Sequence, residues 1–407
     1  MPAARILIIS NGPLCRNPRV VKEASTLGYA GYSVTVLTVR NHAASEKHDV
    51  ELLRDAPFRR ETIDMLSGFS TPRATVFARR ISLWAWRKAA RLNLHDIGAL
   101  GPAGALLRKA RHLPADLTIV HNEISHWVGI RLITEGRRVS ADIEDWHSED
   151  LLPDERTRRP LELIRSVERT LLHRAVYTTT TSHALADALH TRYGGRRPEV
   201  ITNAFPLQPD PRTGEPGQPP SFFWFSQTLG PGRGLEHFFA AWKLTRHPSR
   251  VVLLGEVHGD YARQLLARLP TERRTEVSFL PLVSPAELTT VIAQHDIGLA
   301  LEQSFIINRD LTVTNKIIQY LNAGLAVVAS DTTGQREVLA QSPDAGIIVE
   351  THETTRFAAA LDELLADRES LQQCQRAARR LVETTYCWER EAPRLTALVA
   401  RALATPT

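Results

Sequence analysis

The residues best suited to chemistry lie in one continuous passage in the second half of the chain. Glu302 opens it, and after a polar loop Thr314, Asn315 and Lys316 stand at the predicted start of a helix. A helix N-terminus offers unpaired backbone N–H groups and a partial positive charge, which together suit a phosphate. Gln319 follows one turn later. The passage therefore predicts a site for a phosphate-bearing ligand with a carboxylate beside it.

A helix and a buried strand must position these residues. The helix is predicted over 315–321, Gly324 stands where a left-handed C-cap would, and the apolar run 325–331 suits a strand covered on both faces. A helix, a glycine and a strand also form a common structural unit without any ligand. The carboxylate and the polar loop before the helix are what favour a functional site.

A second candidate phosphate site precedes the helix predicted from about Leu235. Glycines flank Arg233 in the segment 230–234, directly after the apolar strand that begins at Phe222. Backbone amides at close approach and one cation form a reasonable phosphate cradle. The same residues also make an ordinary turn, and both interpretations stay open.

The first half of the chain opens as a βαβ unit. Strand 6–9 leads through a turn at Gly12 to a helix over 18–27 and a strand over 33–39. A glycine after a strand lets a ligand approach the backbone, although most such glycines only turn the chain. Further strands are predicted at 116–120, 139–143, 176–180 and 199–201, alternating with helices.

Titratable side chains follow two of these strands. His121 stands at the C-terminal end of one strand, and Glu144 and Asp145 follow the next. Open parallel sheets bind ligands at this edge, so these residues are candidates for a site. A surface histidine and a helix cap formed by Asp145 are the structural alternatives.

Composition indicates a two-domain globular protein. The chain has 407 residues, of which 43% are hydrophobic and 23% charged. Cys15, Cys374 and Cys387 lie in no ligand-like spacing, which favours a reducing compartment over a disulfide framework or a zinc site. The N-terminus enters a strand at once, so no signal peptide is expected, and no apolar run reaches the length of a membrane span. These features predict a cytoplasmic protein.

The formal net charge of +5 favours an anionic partner. The stretch 71–91 carries six cations, no acidic residue, and the interleaved Trp84 and Trp86. It could lie on an anionic membrane surface, at the inner face of the membrane, or form a solvated helix whose tryptophans join the core. No nucleic-acid-binding module accompanies it, so nucleic acid is not an expected partner.

The passage from Glu302 resembles the nucleotide-sugar-binding segment of glycosyltransferase family 4. Members carry an Asn-Lys pair at a helix start, as at Asn315 and Lys316, an acidic residue four positions after the Asn, and Ala-Gly before a Val-rich strand. This chain has Gln319 at the acidic position, and its loop after Glu302 is longer than usual. The segments 17–24 and 31–37 and the opening of the last helix at 386–389 also resemble the family.

The resemblance implies a GT-B fold: α/β, with two doubly wound Rossmann-like domains facing a central cleft. An acceptor-side domain would span residues 1–205 and be completed by a C-terminal helix over about 388–407. The linker would be 206–220, and the nucleotide-sugar-binding domain 221–387.

The resemblance also implies roles for the candidate residues. Glu302 and His121 would orient sugar hydroxyls and steady positive charge near the anomeric carbon. Arg233, Lys316 and the amides of Thr314 and Asn315 would hold the diphosphate. Gln319 would bind the ribose, and the strand exit at Leu280 would hold the base. Gly12 would lie against the donor and Gly255 against its nucleotide. Glu144 and Asp145 would contact the acceptor. Thr228 stands where the family often has a second arginine, which Arg309 could replace.

The implied reaction is transfer of a sugar, with retention, from a nucleoside diphosphate to a hydroxyl acceptor in polysaccharide or glycolipid assembly. No cofactor and no metal are expected, because no Asp-x-Asp element stands where an ion could bridge the phosphates. A lipid-linked acceptor and an anionic membrane are candidate partners. The alternatives are a non-catalytic nucleotide-sugar-binding or membrane-docked assembly protein and, ranked lower, a nucleotide-sugar 2-epimerase.

Overall fold

Two parallel sheets organise the chain in the computed structural model, which describes residues 3–92, 94–152, 156, 159–209 and 218–404. The chain divides into a first unit of residues 1–181, 185–201 and 392–407 and a second unit of 182–184 and 202–391. Each unit has a parallel sheet with alternating helices. The prediction of two Rossmann-like α/β domains is therefore confirmed.

The sheet of the first unit has the strand order β3-β2-β1-β4-β5-β6-β7. Its strands are β1 (Arg5–Ile9), β2 (Ser33–Arg40), β3 (Arg59–Asp64), β4 (Leu117–His121), β5 (Val139–Asp142), β6 (Thr178–Thr180) and β7 (Glu199–Val200). The helices between these strands are α1 (Pro18–Tyr29), α2 (Ala43–Leu52), α3 (Arg73–Ala90), α4 (Ala103–His112), α5 (Asn122–Thr134), α6 (Leu161–Arg174) and α7 (His183–Tyr193). The order reverses between β1 and β4, which makes their carboxyl ends the switch point of this sheet.

The sheet of the second unit has the strand order β10-β9-β8-β11-β12-β13. Its strands are β8 (Ser221–Leu229), β9 (Arg250–Val257), β10 (Val277–Leu280), β11 (Ile297–Ala300), β12 (Ala326–Ser330) and β13 (Gly346–Val349). The helices that follow β8 are α8 (Leu235–Trp242), α9 (Tyr261–Leu266), α10 (Thr271–Arg274), α11 (Pro285–Ile292), α12 (Ile307–Leu311), α13 (Asn315–Asn322), α14 (Thr333–Leu339), α15 (Thr354–Ala366), α16 (Arg368–Thr384) and α17 (Trp388–Ala404). Here the switch point lies between β8 and β11.

The helix and strand predicted after Thr314 are both present. Helix α13 ends in a Schellman motif, because Gly324 has φ +74° and its N–H bonds the carbonyl of Leu321 while Leu325 bonds that of Tyr320. Every residue of β12 is buried, as expected for a strand covered on both faces.

Other segments depart from the prediction or lie outside it. Strand β3 was not predicted, because its sequence is mostly polar; it pairs only with β2 at the edge of the sheet. Residues 210–217 of the predicted linker and 405–407 of the predicted last helix lie outside the described residues.

The basic stretch forms helix α3, but its tryptophans do not join the core. Trp84 is 61% exposed and Trp86 39% exposed. The interpretation of a helix with buried tryptophans is therefore wrong, because Val76 and Leu83 are the side chains that pack inward, whereas both tryptophans are exposed.

Gly298 lets helix α13 approach the second sheet closely. It lies in β11, and a Cβ placed on it would overlap the ring of Tyr320, which is fully buried on α13. The same ring makes edge contacts with Phe223 and Phe225 of β8. The close approach of glycine and tyrosine thus fixes where the start of α13 lies.

We expect Gly298→Ala to destabilise the second unit by about 1 to 3 kcal/mol through overpacking. For a unit of this size, each kcal/mol should lower the unfolding temperature by about 2 to 4 °C. Gly104→Ala is the matched control, because Gly104 lies in helix α4 and a Cβ there meets only the end of Arg108. Equal unfolding temperatures for the two variants in a thermal melt would contradict the packing argument.

Candidate functional site

The candidate residues of the second unit lie at the switch point of its sheet. Strand β8 leads into the loop 230–234 and then α8, whereas β11 leads into Glu302. The two strands are neighbours, with Phe222 opposite Ile297. Their carboxyl ends therefore open a crevice at the edge where parallel sheets bind ligands.

Glu302 and Lys316 form an ion pair at this edge. Lys316 Nζ lies 2.8 Å from Glu302 Oε1, and the two side chains are only 17% and 13% exposed. The ammonium also stands 5.8 Å from the centre of the Trp224 ring, within range of a cation–π interaction. Ser330 Oγ donates to the carbonyl of Glu302 at 2.7 Å. Both the backbone and the side chain of Glu302 are thus held.

The charges around Glu302 keep it ionised. Burial by itself raises the pKa of this carboxyl, but Lys316, then Arg309 and Arg233, outweigh burial and leave the pKa below its usual value. A carboxylate that stays ionised can accept hydrogen bonds from hydroxyls and can stabilise nearby positive charge. It is not suited to act as a proton donor at neutral pH.

The loop before α8 brings Arg233 to the same place. Gly234 adopts φ +80°, and a Cβ on it would lie 2.7 Å from the Cβ of Leu301, the residue before Glu302. Only glycine fits this close approach. Arg233 Nη1 donates to Ser226 Oγ at 3.1 Å. The loop is therefore a built turn against the β11 exit, as a phosphate cradle requires, and not merely a surface turn.

Helix α13 presents unsatisfied polar atoms at its N-terminal end. Thr314 Oγ1, Asn315 Oδ1 and Gln319 Oε1 are buried and have no hydrogen-bond partner. No side chain caps the helix. Buried polar groups are nearly always paired, so these atoms point to a missing partner such as a ligand hydroxyl or N–H group.

Gln319 also borders a cavity of about 240 Å³, lined in addition by Thr289 and Ile292 on the neighbouring helix α11. The predicted ribose contact thus faces open space.

The structure places Gly255 and Leu280 without assigning them a ligand. Gly255 has φ +153° inside β9, where a Cβ would overlap the carbonyl of Ser226 at the irregularity in β8. Its glycine is explained by that backbone contact. Leu280 is the last residue of β10 and is half-buried. Their roles toward the nucleotide stay predictions.

In the first unit, His121 belongs to a buried network of charges. Its Nε2 hydrogen-bonds Glu23 Oε2 at 2.5 Å, and its Nδ1 lies 3.2 Å from Asp142 Oδ2 without hydrogen-bond geometry. Arg19 clamps Asp142 with two bonds of 2.6 and 2.7 Å and also donates to the carbonyl of Ile201 at 2.8 Å. Two cations and two carboxylates therefore neutralise each other inside this unit.

The network fixes the charge of His121. Burial lowers the pKa of the imidazole, but Glu23 and Asp142 outweigh burial and raise the pKa to about 10. For Asp142 the opposite result holds, since Arg19 and His121 overcome burial and hold the pKa of the carboxyl well below its usual range. His121 is thus a permanent imidazolium at neutral pH, and only 2% of it is exposed.

The predicted acceptor residues lie beside this network and are half-buried. Burial and then Asp145 raise the pKa of Glu144 to about 7. Two histidines nearby are held neutral, because burial lowers the pKa of His147 to about 4 and that of His126 to about 3. Among Glu144, His147 and His126, the pKa closest to neutral pH is that of Glu144.

Gly12 and Asn122 complete the β1–β4 edge. A Cβ on Gly12 would meet nothing within 4 Å. Asn122 has φ +67°, and its Oδ1 accepts from Ser10 Oγ at 3.0 Å. Non-glycine residues in this conformation are often found at functional sites. Asn122 was missed from the sequence, because nothing in its neighbourhood there signals a left-handed residue.

The family of the second unit follows from comparison of sequences. Residues 220–367 match the model of the family described as glycosyl transferases group 1. This segment is a glycosyltransferase domain. The glycosyltransferase domain contains Arg233, Glu302 and Lys316, and it makes the protein an enzyme of that class. No curated protein sequence matches the chain.

Solved structures resemble the whole chain. A sucrose-phosphate synthase from Thermosynechococcus elongatus has a TM-score of 0.70 at 16% identity over 98% of this chain and 99% of its own. HepE from Anabaena, in complex with UDP and glucose, has a TM-score of 0.69 at 16% identity over 98% of this chain and 100% of its own. An α,α-trehalose 6-phosphate synthase from Burkholderia multivorans has a TM-score of 0.65 at 12% identity over 99% of this chain and 99% of its own. At these identities the likeness shows the shared GT-B fold.

No group of three or more His, Cys, Asp or Glu residues in the described part of the chain could hold a metal ion. None of the described helices is long and apolar enough to cross a membrane.

We expect His121→Asn to destabilise the first unit by about 3 to 5 kcal/mol, because it leaves two buried carboxylates with Arg19 alone. The folded pKa lies above the unfolded value, so the contribution of His121 is complete below about pH 6.5 and is lost as the pH rises to about 10. Denaturant unfolding at several pH values measures this. The exposed His48→Asn is the control, and equal stabilities of the two variants at pH 6 would remove the charge argument.

Proposed function

We propose that the protein is a retaining glycosyltransferase that moves a sugar from a nucleoside diphosphate to a hydroxyl acceptor. The observation that carries the proposal is the pair of Glu302 and Lys316 beside the Arg233 loop and the N-terminal end of α13. One carboxylate among several cations suits a ligand with a diphosphate next to a polyhydroxyl group. The resemblance to family 4 supports the finer assignment.

In the proposed reaction, the bond between the anomeric carbon and the diphosphate oxygen breaks as the acceptor oxygen attacks from the same face. Negative charge grows on the leaving diphosphate, where Arg233, Lys316 and the amides of Thr314 and Asn315 stabilise it. The acceptor proton passes to an oxygen of that diphosphate. Glu302 orients sugar hydroxyls and steadies the positive charge that develops near the anomeric carbon.

Gln319 is assigned to the ribose. Its carboxamide can accept from one hydroxyl and donate to another, although it lacks the charge of a carboxylate. UDP is the first nucleotide to test, because HepE was crystallised with UDP and glucose. We assign no metal to the reaction, since the cations named above supply the charge that a divalent ion would bring.

The acceptor is assigned to the first unit, with Glu144 and Asp145 as its contacts. Because its pKa is raised to about 10, His121 is assigned the role of a positive charge beside these carboxyls, in place of the predicted role of steadying positive charge near the anomeric carbon. We propose that the acceptor belongs to polysaccharide or glycolipid assembly.

Helix α3 supports a peripheral position on an anionic membrane. Phe77, Ile81 and Trp84 are 65%, 48% and 61% exposed and follow one another at helical spacing. Arg80 and Lys88 are exposed beside them, and no acidic residue interrupts the helix. An apolar stripe flanked by cations matches the interface of a bilayer that carries anionic lipids.

A non-catalytic nucleotide-sugar-binding protein is the second candidate. Thr228 and Gln319 favour it, because each lacks a charge that the family commonly uses. Hydrolysis of a donor, or transfer from it, separates this candidate from the first.

We expect Lys316→Ala to lower turnover by at least about tenfold, since it removes a cation from the diphosphate and leaves Glu302 buried without its partner. The assay is release of UDP from UDP-glucose, after a thermal-shift screen of UDP, GDP, ADP and CMP, with their sugar conjugates, has identified the donor. Including EDTA tests the metal-free assignment. Lys243→Ala, at an exposed position, is the control. An unchanged rate for Lys316→Ala would remove Lys316 from the site.

We expect the protein to pellet with vesicles that contain anionic lipid at low salt and not with neutral vesicles. Replacing Phe77, Ile81 and Trp84 together by serine should abolish pelleting, because it removes the apolar stripe and keeps every charge. Tyr29→Ser, at another exposed position of the same unit, is the control. Wild-type protein that stays in the supernatant would refute the membrane assignment.

A further inference from the structure

We propose that the loop between Glu302 and α13 supplies two further phosphate-binding groups, Gln303 Nε2 and Arg309. The inference rests on the proposed function and assigns these residues to the diphosphate of the donor.

Gln303 carries a buried donor with nothing to bind. The residue is 6% exposed, and its Nε2 has no hydrogen-bond partner among the residues that the structure describes. Leaving a buried polar group unpaired is costly, so such groups are rare in folded proteins. A Cβ on Gly234 would come within 3.1 Å of this nitrogen. Gln303 Nε2 therefore lies directly against the residue that begins α8.

The start of α8 adds donors to the same spot. The helix spans Leu235–Trp242, and its N-cap Gly234 has no side chain to bind the first amides. Those amides and the helix dipole favour an anion. The side-chain N–H group of Gln303 favours the same chemistry, because the oxygens of one phosphate group can accept from these donors together. Two independent features thus favour one anionic ligand.

Arg309 stands on a short helix that is fixed on either side of it. Asn308 is buried, and Asp310 accepts from the backbone N–H of Thr333 at 3.1 Å and from its hydroxyl at 2.8 Å. Arg309 itself is half-buried and has no hydrogen bond or ion pair within the described part of the chain. A half-buried guanidinium with no hydrogen-bond partner in the described part of the chain is available to a phosphate.

Arg309 lies in the loop that begins after Glu302, and its charge acts on that carboxylate. Its charge lowers the pKa of Glu302, and it does so more than Arg233 does. Lys316, Arg309 and Arg233 are three cations around one carboxylate, which leaves a local charge of +2. A diphosphate matches that charge, whereas a neutral sugar does not.

The test is calorimetric binding of pyrophosphate and of UDP, GDP and ADP with the matching monophosphates and nucleosides. Gln303→Leu keeps the volume and removes the donor, and Arg309→Gln removes the charge. Each should weaken the diphosphate about tenfold, as expected for one charge-assisted hydrogen bond, and leave the nucleoside unchanged. Gln373→Leu and Arg376→Gln, at exposed positions of α16, are the controls.

The outcomes separate this inference from the proposed function. If the two variants bind a diphosphate as tightly as the wild type does, the inference is overturned and the proposed function stands. Equal weakening of diphosphate and nucleoside also overturns it, because the loss is then not at the phosphates. A wild type that binds none of the probes overturns both. If Gln303→Leu does not fold, Arg309→Gln decides alone.

Discussion

The ion pair between Glu302 and Lys316 is the interaction on which the arrangement of the second unit depends. It joins the end of β11 to the start of α13, which are separated along the chain by a long loop. A pair this buried is stable only when its geometry is good and its other atoms are bonded, and removing one partner costs more than the pair contributes. Tyr320 against Gly298 holds the helix, and Ser330 holds the glutamate backbone. Packing thus fixes the charges before any ligand arrives.

The first unit solves a similar problem in a different way. There, Arg19 and His121 oppose Glu23 and Asp142 in a buried group whose charges balance, which leaves little charge for a ligand. Glu144 lies beside this group, and burial and Asp145 raise its pKa to about 7. In the second unit the cations around Glu302 outnumber the carboxylate, whereas in the first unit the charges of the buried network cancel. This difference agrees with a highly charged donor on one unit and a hydroxyl acceptor on the other.

Local signals predicted the second unit well. The helix start at Asn315, the stop at Gly324 and the buried strand after it are set by residues a few positions apart, so the sequence displays them directly. The partners of His121 could not be predicted, because Glu23 lies 98 positions away and only the fold brings it close. The pattern of α3 could not show which face meets the sheet, and so the sequence left open whether Trp84 is buried or exposed. The sequence shows Gln303 only as a loop residue, because its contact with Gly234 and its unpaired nitrogen depend on the fold.

The position of Glu302 bears on whether the site catalyses or only binds. A protein that merely holds a nucleoside diphosphate gains nothing from a buried carboxylate next to it, because like charges repel and the repulsion weakens binding. The three surrounding cations would serve such a protein better without it. In a transfer reaction the carboxylate becomes useful, since positive charge appears at the anomeric carbon only as the bond to the diphosphate breaks. In the proposed transfer, an ionised Glu302 opposes binding of the diphosphate in the ground state and favours the transition state, so its position suits catalysis.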